Sequence, residues 1–310
     1  MKVVVALGGN ALEDSKGQST AEKQLEVVKK TVSHLANVVE EGHTLVIAHG
    51  NGPQVGRIVI QNEAASELTP AMPFDVCGAM SQGMIGYHLQ QAMGDELRSR
   101  GISKPVATVL TQVVVDGADP KFQNPTKPIG PFYNEEEAKR LEAEKGYSMV
   151  EDSGRGYRRV VASPEPKRIV ELETIKTLID NDNIVITVGG GGIPVVEEDN
   201  RLSGVAAVID KDYASQRLAE DIDADLLIML TAVENVAIHF GTPDQKNLTE
   251  VSVEEMKTYI GEGHFAPGSM LPKVEAGIRF VESKPGRKAI ITSLDQTKYA
   301  VNGQVGTIIS

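Results

Sequence analysis

Three glycine-rich turns and three lysines are the residues whose types and spacing could do chemistry in this sequence. Gly8-Gly9-Asn10, His49-Gly50-Asn51-Gly52-Pro53 and Gly189-Gly190-Gly191-Gly192 each follow a short apolar, β-branched run. Glycine leaves no Cβ between a backbone N–H and an approaching anion, and a helix starting just after it adds partial positive charge. One glycine after a strand is ordinarily only a turn. Three in one chain, two of them carrying asparagine, point to a ligand held by backbone N–H groups. The spacing G-x-G-x-x-x-G over residues 50–56 departs from the strict dinucleotide fingerprint, and the chain has no Gly-Lys pair, which excludes a Walker A loop. Lys127 stands in Asn124-Pro125-Thr126-Lys127-Pro128-Ile129-Gly130-Pro131, where prolines restrict the backbone that presents the ammonium group. Lys211, in Val208-Ile209-Asp210-Lys211-Asp212, and Lys273, in Gly268-Ser269-Met270-Leu271-Pro272-Lys273, sit where helices begin. Most lysines are solvated surface groups, and one in a first helical turn opposes the macrodipole. That placement makes sense when an anion shares the same end. Phosphoryl transfer needs this kind of charge more than it needs acids or bases. Asp212 can orient the ammonium groups, although a carboxylate near a helix N-terminus is equally ordinary.

The elements that must position these residues follow from periodicity. Residues 3–7 read as a buried strand, and 21–41 as a helix with Leu25, Val28, Val32, Leu35 and Val39 on one face. Strand 44–48, helices 54–65 and 76–100, and strand 106–115 come next. After residue 160 the rhythm resumes with helix 168–180, strand 184–188, helix 213–221, strand 226–230, helix 270–283, and strands 289–292 and 305–309. This alternation predicts an α/β fold with a largely parallel sheet covered on both faces. The glycine turns then lie beyond the carboxyl ends of strands, where open α/β sheets hold ligands. Residues 118–160 break the rhythm with Pro120, Pro125, Pro128 and Pro131, a polar helix over 135–145, and Asp152-Ser153-Gly154-Arg155-Gly156. A polar, proline-rich insertion of this kind reads as a lid.

Composition narrows the function. A chain of 310 residues suggests roughly two domains. Its formal charge of −12, from 31 Lys+Arg against 43 Asp+Glu, makes it a poor partner for nucleic acid or an anionic membrane. Local lysines must therefore override the global field wherever a phosphorylated substrate binds. Cys77 is the one cysteine, which excludes an intrachain disulfide or a cysteine-based zinc site and reads as inert packing. His34, His43, His88, His239 and His264 show no metal-ligand spacing, so no protein metal site is expected. His49 reads as a structural hydrogen bonder, and Arg155, Arg158 and Arg159 as a solvated turn. The apolar run at the N-terminus is too short for a signal peptide, and no stretch approaches the ~20 apolar residues of a membrane span. A cytoplasmic location is expected.

The segments Ala6-Leu7-Gly8-Gly9-Asn10-Ala11, His49-Gly50-Asn51-Gly52-Pro53-Gln54-Val55-Gly56, 124–132, 189–195, 207–212 and 263–273 together resemble carbamate kinase, of the amino-acid kinase superfamily. The resemblance covers essentially the whole chain in order. It is most discriminating around Lys127, which resembles the lid that carbamate kinases have and their relatives lack. It implies a three-layer αβα open sandwich around one mostly parallel sheet, with a protruding lid subdomain. Residues 1–200, with the lid at 118–160, would hold carbamate or carbamoyl phosphate. Residues 201–310 would hold ATP or ADP on the same continuous sheet. Backbone N–H groups of Gly8, Gly9, Asn10, Gly50, Asn51 and Gly52 would cradle the carbamate and the phosphoryl group. Lys211 and Lys273 would flank the phosphate chain, Lys127 would reach down from the lid, and Asp212 would organise the lysines. Thr231, Ala232 and Met270 would lie near the nucleotide. Direct in-line transfer, Mg²⁺ held largely by phosphate oxygens, and a homodimer are implied in the same way. Acetylglutamate kinase and its relatives usually carry Lys where this chain has Asn10, which fits the carbamate branch.

Three other readings remain at this stage. One is a kinase of the same fold acting on another carboxylate or phosphate, and a second is a nucleotide sensor without catalysis. A nicotinamide oxidoreductase rests on residues 50–56 alone.

Overall fold

Apolar runs with no polar face must be buried on both sides, and these runs form the centre of the molecule. The computed structural model describes residues 1–13, 20–152 and 154–310. Its main sheet contains β1 (Lys2–Leu7), β2 (Thr44–His49), β3 (Val106–Thr108), β4 (Ile184–Ile186), β5 (Leu226–Thr231), β6 (Glu250–Val251), β7 (Lys288–Ser293) and β8 (Thr307–Ile309). The strand order is β6-β8-β7-β5-β1-β2-β4-β3, and every neighbouring pair is parallel except β7 with β8. The helices are α1 (Ala21–Glu40), α2 (Gly52–Ala64), α3 (Phe74–Ser99), α4 (Glu135–Lys145), α5 (Leu172–Asp180), α6 (Lys211–Asp221), α7 (Val253–Gly261), α8 (Met270–Glu282) and α9 (Thr297–Ala300).

Side chains alternate across the sheet, as a strand's period of two requires. Val3, Val5, Leu7, Leu45, Ile47 and Ile228 meet Leu35 of α1 and Leu89 and Met93 of α3. Val4, Ala6, Val46, Leu227 and Met229 face the other way, onto Leu218 of α6 and Phe280 of α8. Each such side chain contributes about 1.5–3 kcal/mol on burial. The result is three layers, α on β on α. In α1 the buried face is Val28, Val32, Leu35 and Val39 as expected, while Leu25 is only half-buried. No helix among the described residues is long and apolar enough to cross a membrane.

Three sequence expectations need correction. The strand expected over 106–115 is broken at Thr111, which is fully buried. Its N–H donates to Gln82 Oε1 at 2.9 Å, and its hydroxyl bonds the Val109 carbonyl at 2.7 Å and the Thr187 hydroxyl at 2.8 Å. These side-chain bonds replace the ladder and redirect the chain. Residues Gln112–Val114 therefore join a second sheet, with Ile193–Glu198, Arg201–Gly204 and Arg168–Ile169. Arg168–Ile169, expected to open a helix, is the edge strand there, and α5 begins only at Leu172. The strand expected over 184–188 ends at Ile186, and Val188 is held in the left-handed region at φ 44°. For a β-branched residue that backbone is strained.

Residues 118–160 contain the excursion that the sequence suggested. Lys127–Tyr133, Tyr157–Val161 and Ser148–Glu151 form an antiparallel three-stranded sheet carrying α4, whose Asn134 and Glu137 make a capping box. Ser153, within the turn singled out above, lies outside the described residues. The lid lies on α2 by backbone contact, since a Cβ at Gly56 would stand 2.1 Å from Gly130 Cα. Gly130 itself has φ 70°, a second reason for glycine at this point. Glu63 of α2 accepts from Lys145 and the Tyr147 hydroxyl, and Arg159 stacks on the Tyr147 ring at 3.6 Å.

At the end of β2, His49 is buried, and its Nδ1 donates to the Gly50 carbonyl at 2.9 Å. Burial pushes the imidazole pKa down to about 4, against the weaker opposing effect of that bond. The neutral ring is thus the one the fold accepts.

Gly56→Ala should lower the urea unfolding free energy by about 1–3 kcal/mol through overpacking against Gly130. Gly78→Ala, at a helical position with open space, should leave it unchanged or raise it by up to ~1 kcal/mol. For His49, the unfolded chain binds the extra proton below pH ~6.5 and the folded chain only near pH 4. Stability therefore falls as pH drops through that window, by about 3 kcal/mol between pH 7 and pH 4. His49→Gln should lose that part of the slope. Identical pH dependence in the two proteins would show that the buried imidazole is not the titrating group.

Candidate active site

The first turn of α6 organises the charges. Asp210 is its N-cap, and its Oδ1 accepts from the Asp212 N–H at 2.9 Å. Its Oδ2 accepts from Lys127 Nζ at 2.6 Å, which ties the lid to this helix. Lys211 Nζ donates to Asp212 Oδ1 at 2.6 Å. Lys273 Nζ, from the first turn of α8, donates to Asp212 Oδ2 at 3.1 Å and to the Ser269 carbonyl at 3.1 Å. Lys127, Lys211 and Lys273, separated widely in sequence, line one cleft.

That cleft has a volume of about 200 Å³. Gly9, Gly50, Asn51, Gly52 and Gln54 line it opposite the lysines, with Pro128 and Arg158 from the lid. A second chamber of about 290 Å³ adjoins it, lined by Gly8, Thr231, Ala232, Ser269 and Leu294. Gly9, Lys211 and Lys273 line both, so the two ammonium groups stand at the border. Asn10 occupies the middle of the single turn Gly9–Ala11. Met270, expected beside a nucleotide, is half-buried with part of its surface against the core, and its neighbour Ser269 is at the chamber wall.

Glycine is required here for close approach. A Cβ at Gly50 would stand 3.2 Å from Lys211 Cδ, in the path of the lysine stem. The four-glycine turn meets the cleft at one residue and packs closely against other elements elsewhere. Only Gly190 reaches the cleft lining, and a Cβ there would strike the Asn51 amide at 2.2 Å. Gly189 and Gly192 press on His49 and Val113 in the same way.

A chain of net charge −12 thus gathers Lys127, Arg158, Lys211 and Lys273 in one cleft against Asp210 and Asp212. Burial lowers the Lys211 pKa by more than Asp212 restores. Burial also disfavours charged Lys273, but Asp212 and Asp210 outweigh it and raise that pKa. For Asp212, burial alone would favour the neutral acid, yet Lys211 and Lys273 hold the carboxyl well below the usual range. Asp212 stays ionised. The arrangement can clamp a polyanion with desolvated ammonium groups, and among the described residues it contains no acid or base poised to move a proton.

Two residues of the cleft escaped sequence reasoning. Asp210 was readable as an N-cap, but its pairing with a lysine 83 positions away was not. Arg158 was read as part of a solvated turn, which holds only for exposed Arg155. Arg158 is tucked under the lid strand, donating to the Gly130 carbonyl at 2.9 Å and to Asp152 at 3.3 Å. Strand alternation, with Arg158 and Arg159 on opposite faces of Tyr157–Val161, was the available signal.

Known proteins match the chain along its length. The model of the amino acid kinase family matches residues 1–293. The chain is 57% identical to the carbamate kinase of Clostridium perfringens over 312 residues, covering 100% of this chain and 99% of that one. It is 51% identical to the carbamate kinase of Pyrococcus horikoshii over 311 residues, with coverage of 100% and 99%. The solved structure of carbamate kinase from Giardia lamblia bound to AMP-PNP superposes with a TM-score of 0.91 at 46% identity, covering 99% of this chain and 98% of that one. An N-acetylglutamate synthase from Neisseria gonorrhoeae, 15% identical with a TM-score of 0.59, shares the fold alone. By sequence and topology, the chain belongs to the amino acid kinase family, within the carbamate kinases.

Proposed function

We propose that this chain catalyses reversible phosphoryl transfer between ATP and carbamate, yielding ADP and carbamoyl phosphate. The observation that carries the reading is the meeting of Lys211 and Lys273 on Asp212 at the border of two chambers. Carbamate takes the smaller chamber, and the phosphate chain of the nucleotide takes the other, beside Thr231 and Ala232. The N-terminal residues to about 200 then serve carbamate, and 201–310 serve the nucleotide. The relative bound to AMP-PNP supports a nucleotide in this fold.

A carbamate oxygen attacks the γ-phosphorus in line, and the bond to the bridging oxygen breaks with its electron pair leaving on ADP. Carbamate already presents an oxyanion, so no base is needed. Neutral His49, its Nδ1 proton engaged by the Gly50 carbonyl, stays outside the chemistry. Charge builds on the equatorial phosphoryl oxygens. An ammonium ~3 Å from such an oxygen contributes about 5 kcal/mol at an effective dielectric near 20, before desolvation is subtracted. Lys211 and Lys273 supply this, Lys127 adds charge from the lid, and N–H groups of Gly8, Gly9, Asn10, Gly50, Asn51 and Gly52 complete the cradle. Met270 contributes through the wall that places Ser269.

Mg²⁺ arrives with the nucleotide. Among the described residues no group of three His, Cys, Asp or Glu is arranged to hold a metal ion, and both cleft carboxylates already bind lysines. The donor set therefore suits an ion held by phosphate oxygens and water, which neutralises phosphate charge. The exposed band along α3 and β3, where Tyr87 and Leu110 stand in solvent, fits a second copy of the chain, so the working form is read as a homodimer. A free thiol at Cys77 and the use of ATP fit a cytoplasmic location.

Lys211→Ala and Lys273→Ala should each lower kcat by about 10³-fold or more. ATP formation from ADP, Mg²⁺ and carbamoyl phosphate, coupled to glucose phosphorylation, measures this. Near-normal turnover in either variant would refute its role. Acetylglutamate and UMP offered with ATP should give no phosphorylated product.

A further inference from the structure

Phosphate-clamping lysines do not distinguish carbamate from other small carboxylates, since its distinctive group is an amine with two N–H donors. A site that recognises it needs hydrogen-bond acceptors. The cleft is poor in them. Lys127, Arg158, Lys211 and Lys273 are donors only. All four carboxylate oxygens of Asp210 and Asp212 already accept, from the Asp212 N–H, Lys127, Lys211 and Lys273.

Two amides remain. Gln54 lines the cleft and is almost fully buried. Its Nε2 lies 3.1 Å from Glu13 Oε2, and Glu13 also holds Arg57 through both oxygens, at 2.7 and 2.5 Å. A carboxylate bound this way only accepts, so the amide group facing it must be the NH₂. Asn51 also lines the cleft, and its Nδ2 lies 2.8 Å from Ser81 Oγ. The Ser81 hydroxyl donates its own proton to the Gly78 carbonyl at 2.6 Å, so it too can only accept from Asn51. Both amides are therefore oriented by outside partners, and both keep a carbonyl oxygen in reserve. Neither oxygen has a partner among the described residues, where the sealed polar side-chain atoms without one are at Ser215, Arg287 and Thr292. Helical side chains lean toward the N-terminus, so Gln54, in the first turn of α2, runs back alongside the cleft floor at Gly52.

We propose that Asn51 Oδ1 and Gln54 Oε1 are the acceptors that read the amino group of carbamate, with Glu13–Arg57 and Ser81 as positioning residues that fix the amide orientation. This rests on the carbamate reading above and assigns its specificity. An acceptor with no partner is costly to bury, so a methyl or hydroxyl group in place of the amine is penalised.

The test compares carbamoyl phosphate with acetyl phosphate, which has a methyl group in place of the amine, as phosphoryl donors to ADP. Values of kcat/KM are measured for the unmodified chain, Gln54→Met and Asn51→Leu. In each variant the ratio of kcat/KM for carbamoyl phosphate to that for acetyl phosphate should fall at least tenfold, whatever the absolute turnover. A purely structural role would lower both donors together and leave the ratio unmoved, and that result overturns the inference. Gln54→Met conserves side-chain length and decides alone should Asn51→Leu no longer bind ADP. Failure of the unmodified chain to use carbamoyl phosphate would overturn the functional reading and this inference together, whereas normal turnover with an unmoved ratio sinks only the second.

Discussion

The buried carboxylate of Asp212, shared by Lys211 and Lys273, is the interaction on which the rest of the site depends. Removing two ammonium groups from water costs several kcal/mol each, and their mutual repulsion adds to it. Asp212 offsets both, with one oxygen for each lysine. Both lysines come from first turns of helices, where the backbone dipole also opposes a cation. The fold therefore maintains two unfavourable placements around one carboxylate. Such an arrangement is poor as a stabilising device. It is suited to a polyanion, which would relieve the repulsion between the two ammonium groups.

The sheet topology explains why these charges can meet. β1 lies between β5 and β2, so the turns after β1 and β2 and the residues after β5 open at one edge of the sheet. α6 and α8 lie side by side on the same face, which brings the start of each to that edge. The lid reaches the same place from outside the sandwich. It is fixed at one end by the glycine contact with α2 and at the other by Lys127 on Asp210. Asp210 thus links two duties, capping α6 and receiving the lid lysine, and the geometry of one constrains the other.

Much of this was legible in the sequence where a pattern is local. The strands and helices with clean period, such as β1, β2, α1 and β5, fall within a residue or two of expectation. The lysines were legible because proline contexts and helix starts are local as well. What escaped was set by contacts between distant segments. Thr111 breaks a continuous apolar run because Gln82 and Thr187 bond it, and neither is a sequence neighbour. Arg168 and Ile169 have the apolar spacing of a helix start, but an unpaired edge at Val113 and Val114 takes them into a sheet. The Asp210 partnership and the position of Arg158 under the lid are of the same kind. The glycine turn at 189–192 was found by composition, but that only Gly190 of it lines the cleft was not legible, because its close neighbours His49, Asn51 and Val113 come from other elements.

The same distinction bears on substrate choice. Charge attracts any small anion, and the excess of cations in this cleft does not depend on what carries the charge. Shape and hydrogen-bond polarity have to discriminate, and those are set one layer further out. Glu13 and Arg57 form an ion pair next to the cleft, and its chemical content is an instruction about which end of Gln54 faces inward. Ser81 gives the same instruction to Asn51 from a different helix. A lysine at either amide position would add a cation to a cleft already rich in them and remove an acceptor that the lysines cannot replace. Affinity for phosphate and recognition of an amine are opposite electrostatic demands, and the site meets them with separate residues.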